Sequence, residues 1–446
     1  MTRSRVSRGD SALQLRYGVL HVLWWALTCA CCAFAAIFLG AKGMSSTEVG
    51  IVTGGASVCS IVFAPMLAAV LTRFRGLTIP RLLSGVLALS SLAYLAISFH
   101  PLPPLVVAAL YLVVYAVLVA CVPLLAQISM NYIRAGRVLN FGLARGFGSV
   151  SYATSAVLLS MLVARSDACV LSVVFLVCAG LFMLVVNTMP ACGGASARGD
   201  ATACSDSCGM IELIRRHPVL FGVLVGFMLE IVASTSLSIY LIDIVEHVGG
   251  NTDMYGVAVF CMAASELPAM AVVPRLRRRL SAGTLFAAAG VAYLLRNVTV
   301  ALATSTAAVL VGLTFQSMSY GLLTSLLTYF IAEECGPRDE MTGQMLLAVM
   351  TTGIGATVGT VAGGALQDAW GIQAMLLFSV VATAAGSSLL IWLGLRDRAV
   401  HPAVRGVMLP QELSCARGGM LVHEPSCARA NMLVQESPCP RQRALR

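Results

Sequence analysis

Residues 218–240 read PVLFGVLVGFMLEIVASTSLSIY, a run of 23 residues whose one charged side chain is Glu230. A helix needs about 20 mostly apolar residues to cross a bilayer, so this run predicts a transmembrane helix. A charge is costly in the hydrocarbon core unless it faces a partner or a water-filled cavity. Glu230 therefore also predicts polar surroundings between the helices.

Eleven further apolar runs of similar length lie along the chain. Hydrophobic residues make up 58% of the sequence and charged residues only 11%, with a mean hydropathy of +0.87. A soluble protein of 446 residues could not bury that much apolar surface. We predict an all-α membrane protein with twelve transmembrane helices, at 17–39, 49–71, 80–99, 105–127, 141–163, 168–187, 218–240, 255–273, 280–302, 307–330, 344–366 and 374–395.

Positive charges cluster in alternate loops between these spans, and the intervening loops carry few. By the positive-inside rule, this layout places both termini in the cytoplasm and predicts a multi-pass protein of the cell (plasma or inner) membrane. The layout also accounts for the net charge of +9 without a nucleic-acid partner. The clustered arginines are Arg3, Arg5, Arg8, Arg73, Arg75, Arg81, Arg134, Arg137, Arg215, Arg216, Arg275, Arg277, Arg278, Arg279, Arg396 and Arg398.

The longest internal loop divides the spans six and six, which predicts two pseudo-symmetric halves that face each other. Its middle, ACGGASARGDATACSDSC at 191–208, is small and polar and predicts a flexible linker. The C-terminal tail carries a twelve-residue repeat that starts at Met408, Met420 and Met432 and predicts disorder. The predicted domains are a cytoplasmic N-terminus (1–16), an N-terminal half (17–187), a cytoplasmic linker (188–217), a C-terminal half (218–398) and a cytoplasmic tail (399–446).

Span 11 carries glycine at every fourth position, at Gly355, Gly359 and Gly363. This spacing places the three glycines on one face of a helix, where another backbone can approach closely. Two interpretations remain open. The face is either a tight packing surface or a surface that slides during a conformational cycle.

Four full charges lie inside the apolar spans: Arg145, Glu230, Glu266 and Arg296. The guanidinium of Arg145 suits paired hydroxyls or a carboxylate, although an arginine near a helix end can also extend to the interface. Burial favours the protonated form of a carboxyl group, so Glu266 and Glu230 are candidates for carrying a proton. The alternative for Glu266 is a structural ion pair with Arg296, which could also neutralise Glu230 or contact a substrate.

Uncharged polar and aromatic side chains inside the spans are further candidates for lining a cavity. Hydrogen bonding between helices is the alternative role of the polar ones among them. These candidates are Gln127, Asn131, Tyr152, Gln316, His21, Trp24 and Trp25.

The segment Phe141-Gly142-Leu143-Ala144-Arg145-Gly146-Phe147-Gly148 matches the pattern F-G-x-A-R-x-F-G in full. By this segment and its six-plus-six layout, the chain resembles the major facilitator superfamily. Within this superfamily, the chain most resembles the branch of lactose-permease-like oligosaccharide/proton symporters and their phenylpropionate-permease-like relatives. The resemblance implies that Arg145 binds substrate and that Tyr152 takes the place of an aromatic residue that stacks on a sugar ring.

The second half is similar to the same branch in outline. Ser265-Glu266-Leu267-Pro268 resembles an S-E-I-P segment, which implies a substrate-binding role for Glu266, and Arg296 falls at the arginine of span 9. The chain departs from the branch at three positions, where Gln127, Gln316 and Ser319 replace a carboxylate, a histidine and the proton-carrying glutamate. Proton coupling would then fall to Glu266 or Glu230, and a facilitator without coupling is the alternative.

We therefore expect a secondary active transporter that moves a small organic solute by alternating access, most simply by proton symport. Sugars, glycosides, nucleosides and aromatic acids are the candidate substrates, with Arg145, Tyr152, Glu266, Arg296, Gln127 and Gln316 in the binding site and Glu266 or Glu230 in proton coupling. Efflux of amphipathic compounds and a non-transporting membrane sensor are alternatives. The spans hold no nucleophile–base pair, nucleotide loop or metal-ligand spacing, so we expect neither an enzyme nor a cofactor or metal. A monomer in a lipid bilayer, driven by a proton gradient, is the expected state.

Overall fold

The computed structural model describes residues 8–74, 76–137, 139–190 and 209–400, and these residues are almost entirely helical. In the first half, the helix of the first span is interrupted by a π-helical turn at Cys29–Ala33. The helices of this half are α1 (Arg8–Thr28), α2 (Ala35–Ala41), α3 (Ser46–Arg73), α4 (Ile79–Phe99), α5 (Pro104–Arg134), α6 (Phe141–Arg165) and α7 (Val170–Asn187).

In the second half, two irregular turns separate helices that follow each other closely, a 3-10 turn at Phe315–Ser317 and a π-helical turn at Val349–Gly355. The helices are α8 (Met210–Arg216), α9 (Pro218–Ile239), α10 (Leu241–His247), α11 (Thr252–Arg277), α12 (Ala282–Ala301), α13 (Thr306–Thr314), α14 (Tyr320–Ala348), α15 (Ala356–Trp370) and α16 (Ile372–Val400).

A helix lies at each of the twelve predicted spans. Among the described residues, eleven helical segments are long and apolar enough to cross a membrane. The predicted eighth span, 255–273, lies within α11, which is 26 residues long but is not one of the eleven. The all-α membrane architecture is therefore confirmed, and the twelfth crossing stays a prediction.

Several helices extend beyond the predicted spans. α1 begins at Arg8 rather than at residue 17, and α5 continues to Arg134 rather than ending at residue 127. The backbone hydrogen bonds of a helix do not require apolar side chains, so a helix can continue past the hydrocarbon core to where charged residues reach water. Hydropathy detects only the part that lies in hydrocarbon.

The predicted linker at 188–217 is partly helical, because α8 lies within it. Leu213 of α8 is fully buried and packs in the core of the second half. The predicted linker therefore ends in a short helix that the sequence analysis did not predict. The remainder of the linker at 191–208, and the predicted tail beyond Val400, lie outside the described residues.

The predicted connection between spans 10 and 11 is also helical, with a kink inside α14. Gly336 has a φ of 67°, a backbone conformation that glycine adopts without steric cost. The kink separates the segments Thr306–Gly336 and Asp339–Trp370, which hold spans 10 and 11.

The two halves meet along α3 with α15 and along α6 with α11. Hydrogen bonds between these helices gather at one end of the bundle, around Ser46, Ser160, Thr252 and Asp368, which we name the closed end. At this end the Ser160 hydroxyl donates to the carbonyl of Thr252 and accepts a hydrogen bond from Gly256 N at 3.0 Å. The closed end is opposite to the end at which α1 begins, so the halves are joined on the side predicted to be non-cytoplasmic.

The first turn of α3 is the most densely bonded part of the closed end. Ser45 and Glu48 form a capping box, in which each side chain accepts a hydrogen bond from the backbone N–H of the other residue. The carboxylate of Asp368, at the end of α15, accepts from Ser46 N at 3.1 Å and from Thr47 N at 2.6 Å. The hydroxyl of Tyr240 lies 2.8 Å from the carbonyl oxygen of Ser46. One half therefore holds the helix start of the other through backbone groups.

The glycine face of span 11 packs against α9 of the same half. A Cβ added at Gly359 would collide with Val232 and Thr235, and one added at Gly363 would collide with Ser236. The packing interpretation of this face is supported, because α9 and α15 lie in one half. Close approach between the halves uses different glycines, such as Gly50, which lies against Thr360.

We predict that Gly359→Val destabilises the fold by about 1–3 kcal/mol, because the added side chain would force α9 and α15 apart. Thermal unfolding of the purified protein in detergent measures the loss. The control is Gly180→Val in α7, where no atom lies within 4 Å of the position of an added Cβ. Equal melting temperatures for the two variants would contradict the packing role of Gly359.

Candidate functional site

The site begins with the local structure at the start of α6. Asn140 caps this helix, since its side-chain oxygen accepts from Leu143 N at 2.9 Å. Arg145 and Tyr152, seven residues apart, lie on the same face of the helix. The Nη1 of Arg145 donates to Ser149 Oγ at 3.2 Å, one turn further along the same face.

Trp25 of α1 forms a platform beneath Arg145. The guanidinium carbon of Arg145 lies 4.0 Å from the centroid of the Trp25 ring, within the range of a cation–π interaction. Tyr152 meets the same ring edge-on, with centroids 6.1 Å apart. Gly148 lies against the indole, and an added Cβ there would collide with it. The glycine of the F-G-x-A-R-x-F-G segment thus makes room for the platform.

Glu266 of α11 and Gln316 of the 3-10 turn form the corresponding polar group of the second half. Gln316 Nε2 donates to Glu266 Oε1 at 2.8 Å. Glu266 is half-buried and interacts electrostatically with both Arg145 and Arg296. Since Arg145 belongs to the first half and Arg296 to the second, Glu266 interacts with one positive charge from each half.

Arg296 is fully buried inside the second half. Its Nη1 donates to Ser234 Oγ at 2.9 Å and to Asn297 Oδ1 at 3.4 Å, and its Nε has no partner among the described residues. The ion pairs among the described residues lie elsewhere, and no carboxylate lies within 4.0 Å of Arg296. The alternative of a structural ion pair between Glu266 and Arg296 is therefore not met as a direct contact, and Glu266 and Glu230 act on Arg296 at longer range.

Glu230 is also fully buried, in a space left by small residues of α9, α12 and α16. Ser387 donates to Glu230 Oε1 at 2.6 Å and also lies 2.8 Å from the carbonyl oxygen of Gly290. The second oxygen, Oε2, has no described partner. A Cβ added at Gly386 would lie 3.1 Å from Glu230 Oε1, so glycine at 386 leaves room for the carboxylate.

The other candidates have different surroundings. Gln127 is half-buried, and its side chain forms no hydrogen bond to another described residue. Trp24 is fully buried against Phe182, with ring centroids 5.3 Å apart, so its predicted place in the cavity lining is wrong. His21 is 2% exposed and lies between aromatic rings, with neither ring nitrogen bonded in the described structure.

Sequence reasoning missed the polar residues that surround Glu230 and Arg296. Asn297 donates to the hydroxyl of Thr383, and Ser234 and Ser387 bind the two charged groups directly. A signal was present, since Ser234 follows Glu230 by four residues and Ser387 follows Thr383 by four, which places each pair on one helix face. Asn297 resembles a glycosylation acceptor in sequence, but it is fully buried.

The site therefore combines guanidinium groups, carboxyl groups, amides and aromatic rings from both halves. These groups suit binding of a polar solute and exchange of protons. Among the described residues, no cluster of three or more histidine, cysteine, aspartate or glutamate side chains could hold a metal ion.

Comparison with known proteins gives the family and the fold. The model of the MFS_1 like family matches residues 14–380. A search of curated proteins finds no match. The crystal structure of the nucleoside transporter NupG superposes with a TM-score of 0.68 at 14% identity, covering 85% of this chain and 98% of that chain. A bacterial homolog of the human lysosomal transporter Spinster, in an inward-facing and unoccupied conformation, superposes with a TM-score of 0.64 at 12% identity, covering 88% and 98%.

We predict that Asn297→Ala lowers stability by about 1–3 kcal/mol, because it removes one buried hydrogen-bond partner from Thr383 and one from Arg296. A double-mutant cycle with Thr383→Val, followed by thermal unfolding in detergent, separates this hydrogen bond from general packing. We expect the double variant to be less destabilised than the sum of the single variants by about 0.5–3 kcal/mol. Strictly additive losses would show that the two side chains are not coupled.

Proposed function

Because the chain belongs to the MFS_1-like family of major facilitator transporters, and is a membrane transporter rather than an enzyme, we propose that it moves a small organic solute by alternating access. Sugars, glycosides, nucleosides and aromatic acids are the substrate classes that suit the groups of the site. The proposed location is the cell membrane, with both termini in the cytoplasm, on the positive charge of the alternate loops.

One observation supports this proposal above the others: the charged groups of the site come from both halves. Arg145 belongs to the first half, and the groups that act on it electrostatically, Glu266 and Tyr320, belong to the second. A solute that contacts Arg145 and Glu266 together stabilises one arrangement of the halves over another. Such a difference in affinity between conformations is what alternating access requires.

The binding residues divide between the two halves. We assign Arg145, Tyr152 and Gln127 to the wall of the first half, where the guanidinium donates hydrogen bonds and the tyrosine ring stacks. Glu266 and Gln316 form the opposite wall, as an acceptor and a donor. Arg296 is fully buried in this conformation. We therefore assign it an indirect role, in which it acts on the solute through the charge of Glu266.

Glu266 is the better of the two candidates for the coupling proton. It is half-buried and lies opposite Arg145, so a proton and a solute can influence each other at this position. Glu230 is fully buried within the second half and is bonded to Ser387, away from the first half. We therefore assign proton symport to Glu266 and retain Glu230 as the second candidate.

The conformation fits one state of such a cycle. The halves are bonded at the closed end, and under the predicted topology this end faces away from the cytoplasm. We therefore infer an inward-facing state, the description that the Spinster homolog carries for its own structure. Transport would require the bonds of Asp368 and Ser160 to break and re-form in each turnover.

We predict that Glu266→Gln abolishes accumulation of solute against its gradient but leaves equilibration across the membrane, because glutamine retains the hydrogen bond to Gln316 and cannot release a proton. The measurement is uptake of labelled solute into proteoliposomes with and without an imposed pH gradient. The matched variant is Glu230→Gln, for which we expect accumulation to continue.

The two variants distinguish the proton sites. Accumulation by Glu266→Gln at the wild-type level would contradict coupling at Glu266. Loss of accumulation in Glu230→Gln alone would transfer the role to Glu230. Equal equilibration by the wild type with and without the gradient would identify a facilitator.

A further inference from the structure

The first half contains almost no negative charge. Its acidic residues are Asp10, Glu48 and Asp167, and each lies at a helix end or in a loop. Asp10 pairs with Arg137 at 2.6 Å, Glu48 accepts from Ser45 N at 2.9 Å, and Asp167 accepts from Cys169 N at 2.7 Å. The first half therefore offers no carboxylate to neutralise Arg145 within the bundle.

The contacts of Arg145 hold the side chain in place without neutralising it. They are the face of the Trp25 ring, at 4.0 Å, and the hydroxyl of Ser149, at 3.2 Å. A guanidinium carries five N–H donors along its edges, and Ser149 accepts from one of them, so donor edges of Arg145 remain free for a ligand. The free edges match the two oxygens of a carboxylate.

The negative charge that does act on Arg145 belongs to the second half and is shared. Glu266 acts on both Arg145 and Arg296, and Arg296 also lies in the field of Glu230. With both carboxyl groups ionised, the two positive charges are balanced. When Glu266 binds a proton, one positive charge is left, and it belongs to the guanidinium that has no carboxylate in its own half.

We propose that the solute carries a negative charge, that its anionic group binds the free edge of Arg145 seated on Trp25, and that protonation of Glu266 favours this binding. The inference rests on the proposed function, since it specifies the substrate class of the same site. It also assigns Trp25 the role of a positioning residue. The Trp25 ring orients the Arg145 side chain, as a carboxylate partner would in an ion pair. Proton and anion then enter the site together, and their charges cancel.

The polar edge of the Trp25 ring is enclosed within the bundle. Its Nε1 is inaccessible to solvent and has no partner among the described residues. The face of the ring supports Arg145, while its edge is held by Tyr152 and Gly148. The indole therefore contributes a surface on which the cation lies, with the guanidinium carbon 4.0 Å from the ring centroid.

The first experiment compares acids with neutral twins in binding to the purified full chain in detergent. The probes are benzoate against benzamide and glucuronate against glucose, and the readout is the rise in melting temperature with ligand concentration. We expect an acid to raise the melting temperature where its neutral twin does not. Equal stabilisation by both members of each pair, or no preference for an acid in either pair, would overturn the proposal.

Variants of the site identify the group that holds the anion. We expect Arg145→Met to weaken binding of the preferred acid about 10- to 100-fold, the range for charge-assisted hydrogen bonds. Trp25→Leu should weaken it about three- to tenfold, and Trp25→Phe, which keeps a ring face, should restore most of that loss. Wild-type affinity in Arg145→Met, or equal losses in Trp25→Leu and Trp25→Phe, would overturn the assignment.

Glu266→Gln distinguishes an anion from a neutral solute, because glutamine imitates the protonated carboxyl group. An anion should bind this variant at least as tightly as the wild type. A neutral solute whose hydroxyls donate to the Glu266 carboxylate should bind more weakly, and that result would overturn the proposal.

A separate flux measurement tests the proposed function by itself. Preferred acids that bind but do not cross proteoliposome membranes would leave the anion site intact and refute transport. Transport of glucose with no preference for an acid would support transport and refute the anion site.

Discussion

The cost of placing charge inside an apolar bundle is the constraint on which the second half depends. Glu230 and Arg296 are both fully buried, and an isolated ion in such surroundings is destabilising by several kcal/mol. The chain offsets this cost with hydrogen bonds from neighbouring helices rather than with a close ion pair. Ser387 binds Glu230, Ser234 binds Arg296, and Asn297 connects Arg296 to Thr383. Small residues around these groups let the helices approach closely enough for the bonds to form, so packing and polar satisfaction follow from one requirement.

The same reasoning explains why the two halves are joined through backbone groups. In the interface between the halves, Asp368 accepts from two N–H groups at the start of α3, and Tyr240 lies within hydrogen-bond distance of a carbonyl in the same turn. The N–H groups at a helix start have no partner within the helix, so they can bind water when the halves separate. An interface built in this way can open without leaving a buried polar group unsatisfied. The site and the interface share two helices. Helix α6 carries Arg145 and Ser160, and α11 carries Glu266 and Gly256, which donates to Ser160.

Hydropathy was sufficient to predict the helices, because the length and composition of a span are local properties of the sequence. Partners inside the bundle were not predictable in the same way, since they depend on how each helix is rotated. Trp24 and Trp25 illustrate the difference. Adjacent residues point about 100° apart on a helix, so one ring packs against Phe182 and the other lies beneath Arg145. Arg145 itself was identified from its sequence segment, but the ring that supports it lies 120 residues earlier in the chain. Helix α8 is only seven residues long, so it is too short to appear as a span in a hydropathy pattern.

The halves differ in the kind of charge that they bring to the site, and this asymmetry has a physical consequence. The first half holds a guanidinium on an aromatic ring, a cation that stays charged at any physiological pH. The second half holds carboxyl groups, whose charge depends on proton binding. The balance of charge between the walls therefore changes through the second half alone, and the fixed cation of the first half responds to that change. A proton on Glu266 removes the attraction between the walls and leaves Arg145 available to a negatively charged solute. In the proposed mechanism, the negative charge of the solute then follows from the fixed positive charge of the first half.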